Sequence, residues 1–180
     1  MFRRWSRGEY YALTESGYFH DERVELINGG IVQKPAQNEP HAWTVMLLTR
    51  QLNMLLASTH LLRVQLPLAL GEDSDPEPDV SVLPLSLLSG PMSRPASADL
   101  VVEVSDSSLL YDRTVKQAIY ARNGIAEYWI VNLIDRQLEV HRSSDPAAGR
   151  YVDFSVLLPG QSTNILCKSG ATLPIRDILP

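Results

Sequence analysis

Apolar residues recur along the chain with two different periods, and the switches between them outline its elements. Helical spacing predicts a long helix over 41–57, where Val45, Leu48, Leu52, Leu55 and Leu56 fall on one face. The same spacing predicts a helix over 109–122, closed by Asn123-Gly124, and a shorter one over 7–16 with Gly17 as its stop. Alternating or continuous apolar runs predict strands at 23–27 and 31–34, on either side of Asn28-Gly29, a strong hairpin signal. Further strands are predicted at 62–70, with Pro67 marking an edge or a bulge, and at 79–83, 99–105, 127–132, 137–142 and 151–157. Polar stretches at 35–40, 71–78 and 86–97 read as loops. The order is that of an α/β fold with a mixed β-sheet flanked by helices. Helix 109–122 would cross between strands 99–105 and 127–132 as a βαβ unit, right-handed by the usual rule. With 180 residues, no internal repeat and no long linker, one domain over 1–180 is expected.

Composition narrows the setting. Apolar residues make up 44% and charged residues 21%, as in an ordinary globular protein, and no run is long enough to span a membrane. The start, Met1 to Arg7, is basic but has no apolar segment after it, so it does not read as a secretory signal. Cys167 is the one cysteine, which rules out an internal disulfide and a cysteine-type zinc site and points to a reducing, cytoplasmic setting. A net charge of −5 argues against a chain that grips nucleic acid through phosphate contacts over much of its surface. Charge segregated to one face, or a bound divalent cation, would still allow such a partner.

The candidate chemistry lies in three places. Glu103 stands in the apolar run Leu100-Val101-Val102-Glu103-Val104, and alternation puts it on the strand face opposite Leu100, Val102 and Val104. A buried carboxylate there needs a partner. Asp79, in Pro78-Asp79-Val80, opens a neighbouring strand. If the two strands pair, their acids converge, and two convergent carboxylates hold either a proton or a cation. Mg2+ or Mn2+ suits oxygen ligands of this kind. Lys116, on the next helix, would orient or deprotonate water or neutralise phosphate charge. Each residue also has a plain structural reading: Asp79 as a strand or turn start, Lys116 paired with Asp112 on a solvated helix face, and Glu25 in cross-strand pairing. His41 reads as a polar residue at a helix start, and His20, His60 and His141 as surface or core residues without ligand spacing. Tyr128 and Trp129 read as strand packing.

Taken together, the blocks Arg23-Val24-Glu25-Leu26-Ile27-Asn28-Gly29, Glu77-Pro78-Asp79-Val80, Asp99 to Ser105, Tyr111 to Lys116 and Ile125 to Val131, with His41 opening the long helix, resemble the Uma2 family of restriction-endonuclease-like proteins, within the PD-(D/E)xK nuclease superfamily. The resemblance implies a restriction-endonuclease-like core and a Mg2+-dependent endonuclease hydrolysing DNA. Asp79 and Glu103 would hold the metal, Lys116 would assist, and Glu25 would be an accessory group. The superfamily lysine normally stands two residues after the second acid, where this chain has Ser105; Lys116 would be its migrated counterpart. A homodimer is expected, since cutting two strands takes two sites, and strands 137–142 and 151–157 would offer an edge or face for it. The alternative is a catalytically inactive member kept as a binding or dimerisation module; a third reading is a small-molecule hydrolase using the same carboxylates.

Overall fold

The hairpin predicted around Asn28-Gly29 is present. Strand β1 (Val24–Ile27) pairs antiparallel with β2 (Gly30–Gln33), closing Ile27 against Gly30 across a two-residue turn. Asn28 and Gly29 both have positive φ, 49° and 74°, as a type I′ turn demands. At Gly29 a side chain would also collide with Arg4, whose Cβ lies 2.6 Å from where a Cβ would sit. The computed structural model describes residues 3–90 and 93–180. The basic start and the loop predicted over 86–97 each lie partly outside them, at residues 1–2 and 91–92.

Helix α1 (Arg7–Glu15) opens on a capping box between Ser6 and Glu9. Helix α2 (Glu39–Leu56) starts two residues before its predicted boundary, because the Asn38 side chain caps it and Pro40 is tolerated in the first turn. A six-stranded sheet follows, in the order β3-β4-β5-β6-β7-β8. Its strands are β3 (His60–Val64), β4 (Val80–Pro84), β5 (Leu100–Ser105), β6 (Glu127–Asn132), β7 (Gln137–Asp145) and β8 (Arg150–Leu157). Only the β5–β6 pair is parallel, so the predicted βαβ unit forms the centre of a mixed sheet. Two short strands not expected from the sequence, β9 (Ser162–Asn164) and β10 (Thr172–Pro174), pair with each other. Strand β3 begins and ends earlier than the run 62–70 suggested. It stops before Gln65, whose φ is +51°, and Pro67 cannot donate to a ladder.

Every residue of β5 and β6 is buried, which requires cover on both faces of the sheet. On one face Leu48, Leu52 and Leu56 of α2 pack over Val102, Trp129 and Val131. On the other, Ile119 and Tyr120 pack over Val101, Tyr128 and Ile130. Among the described residues no helix is long and apolar enough to cross a membrane.

One core residue makes the fold acid-sensitive. His141 on β7 is buried among Tyr128, Tyr151 and Phe154, and among the described residues its Nε2 has no hydrogen-bond partner. Burial pushes its pKa down from 6.5 to about 4, with Arg113 adding to the effect and Glu139 opposing it. The unfolded chain therefore binds a proton that the folded chain refuses. The stabilisation, about 3 kcal/mol, is complete above pH 6.5 and is lost as pH falls towards 4. Denaturant unfolding at pH 7.5 and pH 5 is expected to show this loss in the wild type and a smaller one in His141→Phe. Equal losses in both would refute the assignment.

Candidate active site

Strand register brings the two acids together. Val80 pairs with Val102, so one residue further along Asp79 stands opposite Glu103. The Asp79 N–H donates to Glu103 Oε2 at 3.3 Å, and Asp79 Oδ2 accepts from the Val104 N–H at 2.9 Å. Asp79 Oδ1 lies 3.1 Å from His41 Nε2 and accepts from Gln65 Nε2 at 3.3 Å. Glu103 faces away from Leu100, Val102 and Val104, as alternation predicts, and its Oε1 accepts from Lys116 Nζ at 3.0 Å and from the Tyr120 hydroxyl at 2.6 Å. Lys116 Nζ also reaches the Glu25 carboxylate at 3.1 Å, and Glu25 accepts from the Glu77 N–H at 2.9 Å. Thus β1, the start of β4, β5 and the crossover helix each contribute one of the four predicted residues to a single cluster.

The crossover helix owes its aim to an irregularity. Between α3 (Leu109–Tyr111) and α4 (Gln117–Arg122), residues Asp112–Lys116 form a π-helical turn. Such a turn inserts a residue into the helix and reorients the side chains on it. Asp112 and Lys116 are both buried here. Asp112 takes the hydroxyls of Ser105 and Ser108, each at 2.6 Å, while Lys116 spans Glu25 and Glu103. Lys116 is therefore not part of a solvated i, i+4 pair, and Ser105, at the usual lysine position, serves as a hydroxyl donor to Asp112.

Charge is strongly coupled in this cluster. Burial raises the Glu103 pKa to about 7; Lys116 opposes the rise, and Asp79, Asp112 and Glu25 reinforce it. Burial opposes charge on Lys116, yet Glu103, Glu25 and Asp112 outweigh it and hold the ammonium protonated. Burial would raise the Asp79 pKa, but the His41 hydrogen bond and charge and the Val104 N–H bring it below the usual range. His41 in turn has a raised pKa: burial works against its charge, and Asp79, Glu103 and Asp106 outweigh that. Asp112 is raised by burial, against Lys116 and its two serine partners.

The cluster lines a cleft of about 390 Å3, bounded by Val32 to Asn38 at and beyond the end of β2, His41, and Asp106 to Ser108. Glu25, Asp79, Glu103 and Asp112 are four buried acids; the Lys116 ammonium contacts Glu25 and Glu103, and the His41 ring contacts Asp79. That excess of hard oxygen donors suits a divalent cation of the Mg2+ type, which is commonly held by one or two carboxylates and keeps its other positions for water and phosphate. Among the described residues, no three His, Cys, Asp or Glu side chains are grouped to enclose an ion on their own. Asp79 and Glu103 face each other across β4 and β5 and both line the cleft.

From the sequence alone His41 is a polar residue at a helix start and nothing more. It does sit in the first turn of α2, but its ring also reaches Asp79. Tyr120 was not singled out, although its place four residues after Lys116, on the same helical face, was a usable signal. Tyr128 and Trp129 are strand packing, fully buried.

A mixed sheet whose antiparallel β4–β5 pair sets Asp79 against Glu103, with a lysine on the crossover helix from the parallel β5–β6 unit, defines a restriction-endonuclease-like α/β protein. The chain belongs to the Uma2 family: the family model, described as "Putative restriction endonuclease", matches residues 7–176. A solved structure from Anabaena variabilis ATCC 29413, described as "a putative nuclease belonging to DUF820", shares the fold with a TM-score of 0.68 at 17% identity, over 88% of this chain and 90% of that one. No curated protein matches the sequence. Family and fold together indicate a restriction-endonuclease-like nuclease.

Proposed function

We propose that the protein is a metal-dependent endonuclease that hydrolyses DNA phosphodiester bonds in the cleft between β4, β5 and the crossover helix. The observation that carries this reading is the meeting of Asp79, Glu103, Glu25 and Lys116, drawn from four elements, around one open cleft. Asp79 and Glu103 would hold Mg2+ or Mn2+. When bound, such an ion activates water and offsets charge on the phosphate. Lys116, held protonated by its acids, acts as a fixed cation towards the attacked phosphate rather than as a base. Glu25 anchors that ammonium, and His41 and the Val104 N–H fix the Asp79 carboxylate. Water oxygen bonds to phosphorus and one P–O ester bond breaks, leaving a phosphate monoester and a hydroxyl end. Cutting both strands of a duplex calls for two such sites, and in this reading the protein acts as a homodimer.

A second reading, a nuclease fold kept for binding or dimerisation, is favoured by the number of protein donors already on Glu103 and Asp79 and by the net charge of −5. Two measurements separate them. Wild-type protein with Mn2+ or Mg2+ is expected to nick and linearise plasmid DNA, and calorimetry is expected to show Mn2+ binding that Asp79→Asn loses. Absence of cleavage and of Mn2+ binding would establish the second reading instead.

A further inference from the structure

The edge of the sheet opposite β3 carries few of the features that normally keep an edge strand from pairing, its charged residues being Arg150 and Asp153. Strand β8 runs for eight residues, Arg150–Leu157, and contains neither proline nor lysine. Val152, Phe154 and Val156, spaced two apart along it, are 67%, 58% and 40% exposed. Apolar side chains at alternate positions on a long open edge are the usual template for another strand.

The pattern of the strand indicates which partner fits. Read outward from Phe154, β8 is nearly a palindrome: Val152-Asp153-Phe154-Ser155-Val156. Antiparallel pairing about a two-fold axis at Phe154 sets Val152 against Val156 of the second copy, Phe154 against its own counterpart, and Asp153 against Ser155. Moving the axis to Asp153 would place two carboxylates opposite each other, which is destabilising. A shift that paired odd with even positions would set apolar against polar side chains. With one arginine and one aspartate, the strand has no net charge to repel its copy. We propose that β8 is the self-association surface of this protein, joining two copies through antiparallel β8–β8 pairing centred on Phe154.

The geometry has a further result. A two-fold axis that relates neighbouring antiparallel strands is perpendicular to the sheet, so each face continues into the same face of the second copy. Both Glu103 side chains therefore lie on one side of a joined twelve-stranded sheet.

Sedimentation of the full chain at micromolar concentration, without metal or nucleic acid, tests this. The wild type is expected to be a dimer. Val152→Lys and Phe154→Lys are each expected to halve the mass while circular dichroism stays unchanged. Phe154 packs on His141, so a lowered melting temperature is tolerable there; Val152, 67% exposed, is the cleaner variant. A wild-type monomer would overturn the proposal. So would a dimer that survives both lysines, which would move the contact elsewhere, such as the exposed Trp43, Met46 and Met54 of α2. Because neither DNA nor metal is present, a protein without nuclease activity leaves this result intact, and a monomer leaves the cleavage assay intact.

Discussion

Replacing Glu103 by glutamine is expected to lower metal-dependent DNA cleavage by roughly a hundred- to a thousandfold, the scale seen when one preorganised charge-stabilising group is removed from a site. The substitution keeps the shape of the side chain and its place between Lys116 and Tyr120. It removes the charge that would hold a divalent cation opposite Asp79. The same change is not expected to weaken the fold. Burial and three neighbouring acids already hold the Glu103 pKa at about 7, so its charge is poorly tolerated in the folded chain. Plasmid cleavage should therefore collapse while the denaturant midpoint stays level or rises. Wild-type cleavage by Glu103→Gln would sink the assignment of this carboxylate to the metal.

Replacing Lys116 by methionine is expected to destabilise the protein by about 3–5 kcal/mol, the usual cost of leaving a buried ionic partner uncompensated. Methionine retains much of the apolar stem, so little of this comes from packing. The loss arises because Glu25, Glu103 and Asp112 then crowd together without their shared cation. The double variant Lys116→Met with Glu103→Gln should recover part of the loss, since one of the stranded charges is gone. Urea unfolding of the two single variants and the double variant measures the coupling. A midpoint for Lys116→Met equal to wild type would place the lysine outside the cluster's charge balance. These experiments separate the two residues: Glu103 is expected to matter for cleavage and not for stability, whereas Lys116 is expected to matter for stability.

Much of this architecture is legible in the chain because it depends on local periodicity. The Asn28-Gly29 hairpin, the long helix, the βαβ unit and the face on which Glu103 stands all follow from side-chain alternation and turn chemistry. The end of β3 was harder to read, because a positive φ at Gln65 leaves no trace in an apolar run. Strands β9 and β10 were missed because three residues are too few to show a period.

By itself, then, the sequence determined most of the elements, their order and the acids Asp79, Glu103 and Glu25 together with Lys116 as candidates. Only the tertiary structure decided that they meet. Glu25 and Lys116 are 91 residues apart, and pairing at that distance depends on packing of the hairpin against the crossover helix, not on any local preference. The π-turn over Asp112–Lys116 and the reach of His41 to Asp79 are of the same kind. A buried charge takes its meaning from its neighbours, and the neighbours of a sheet residue are set by strand register and crossover rather than by the residues beside it in the chain.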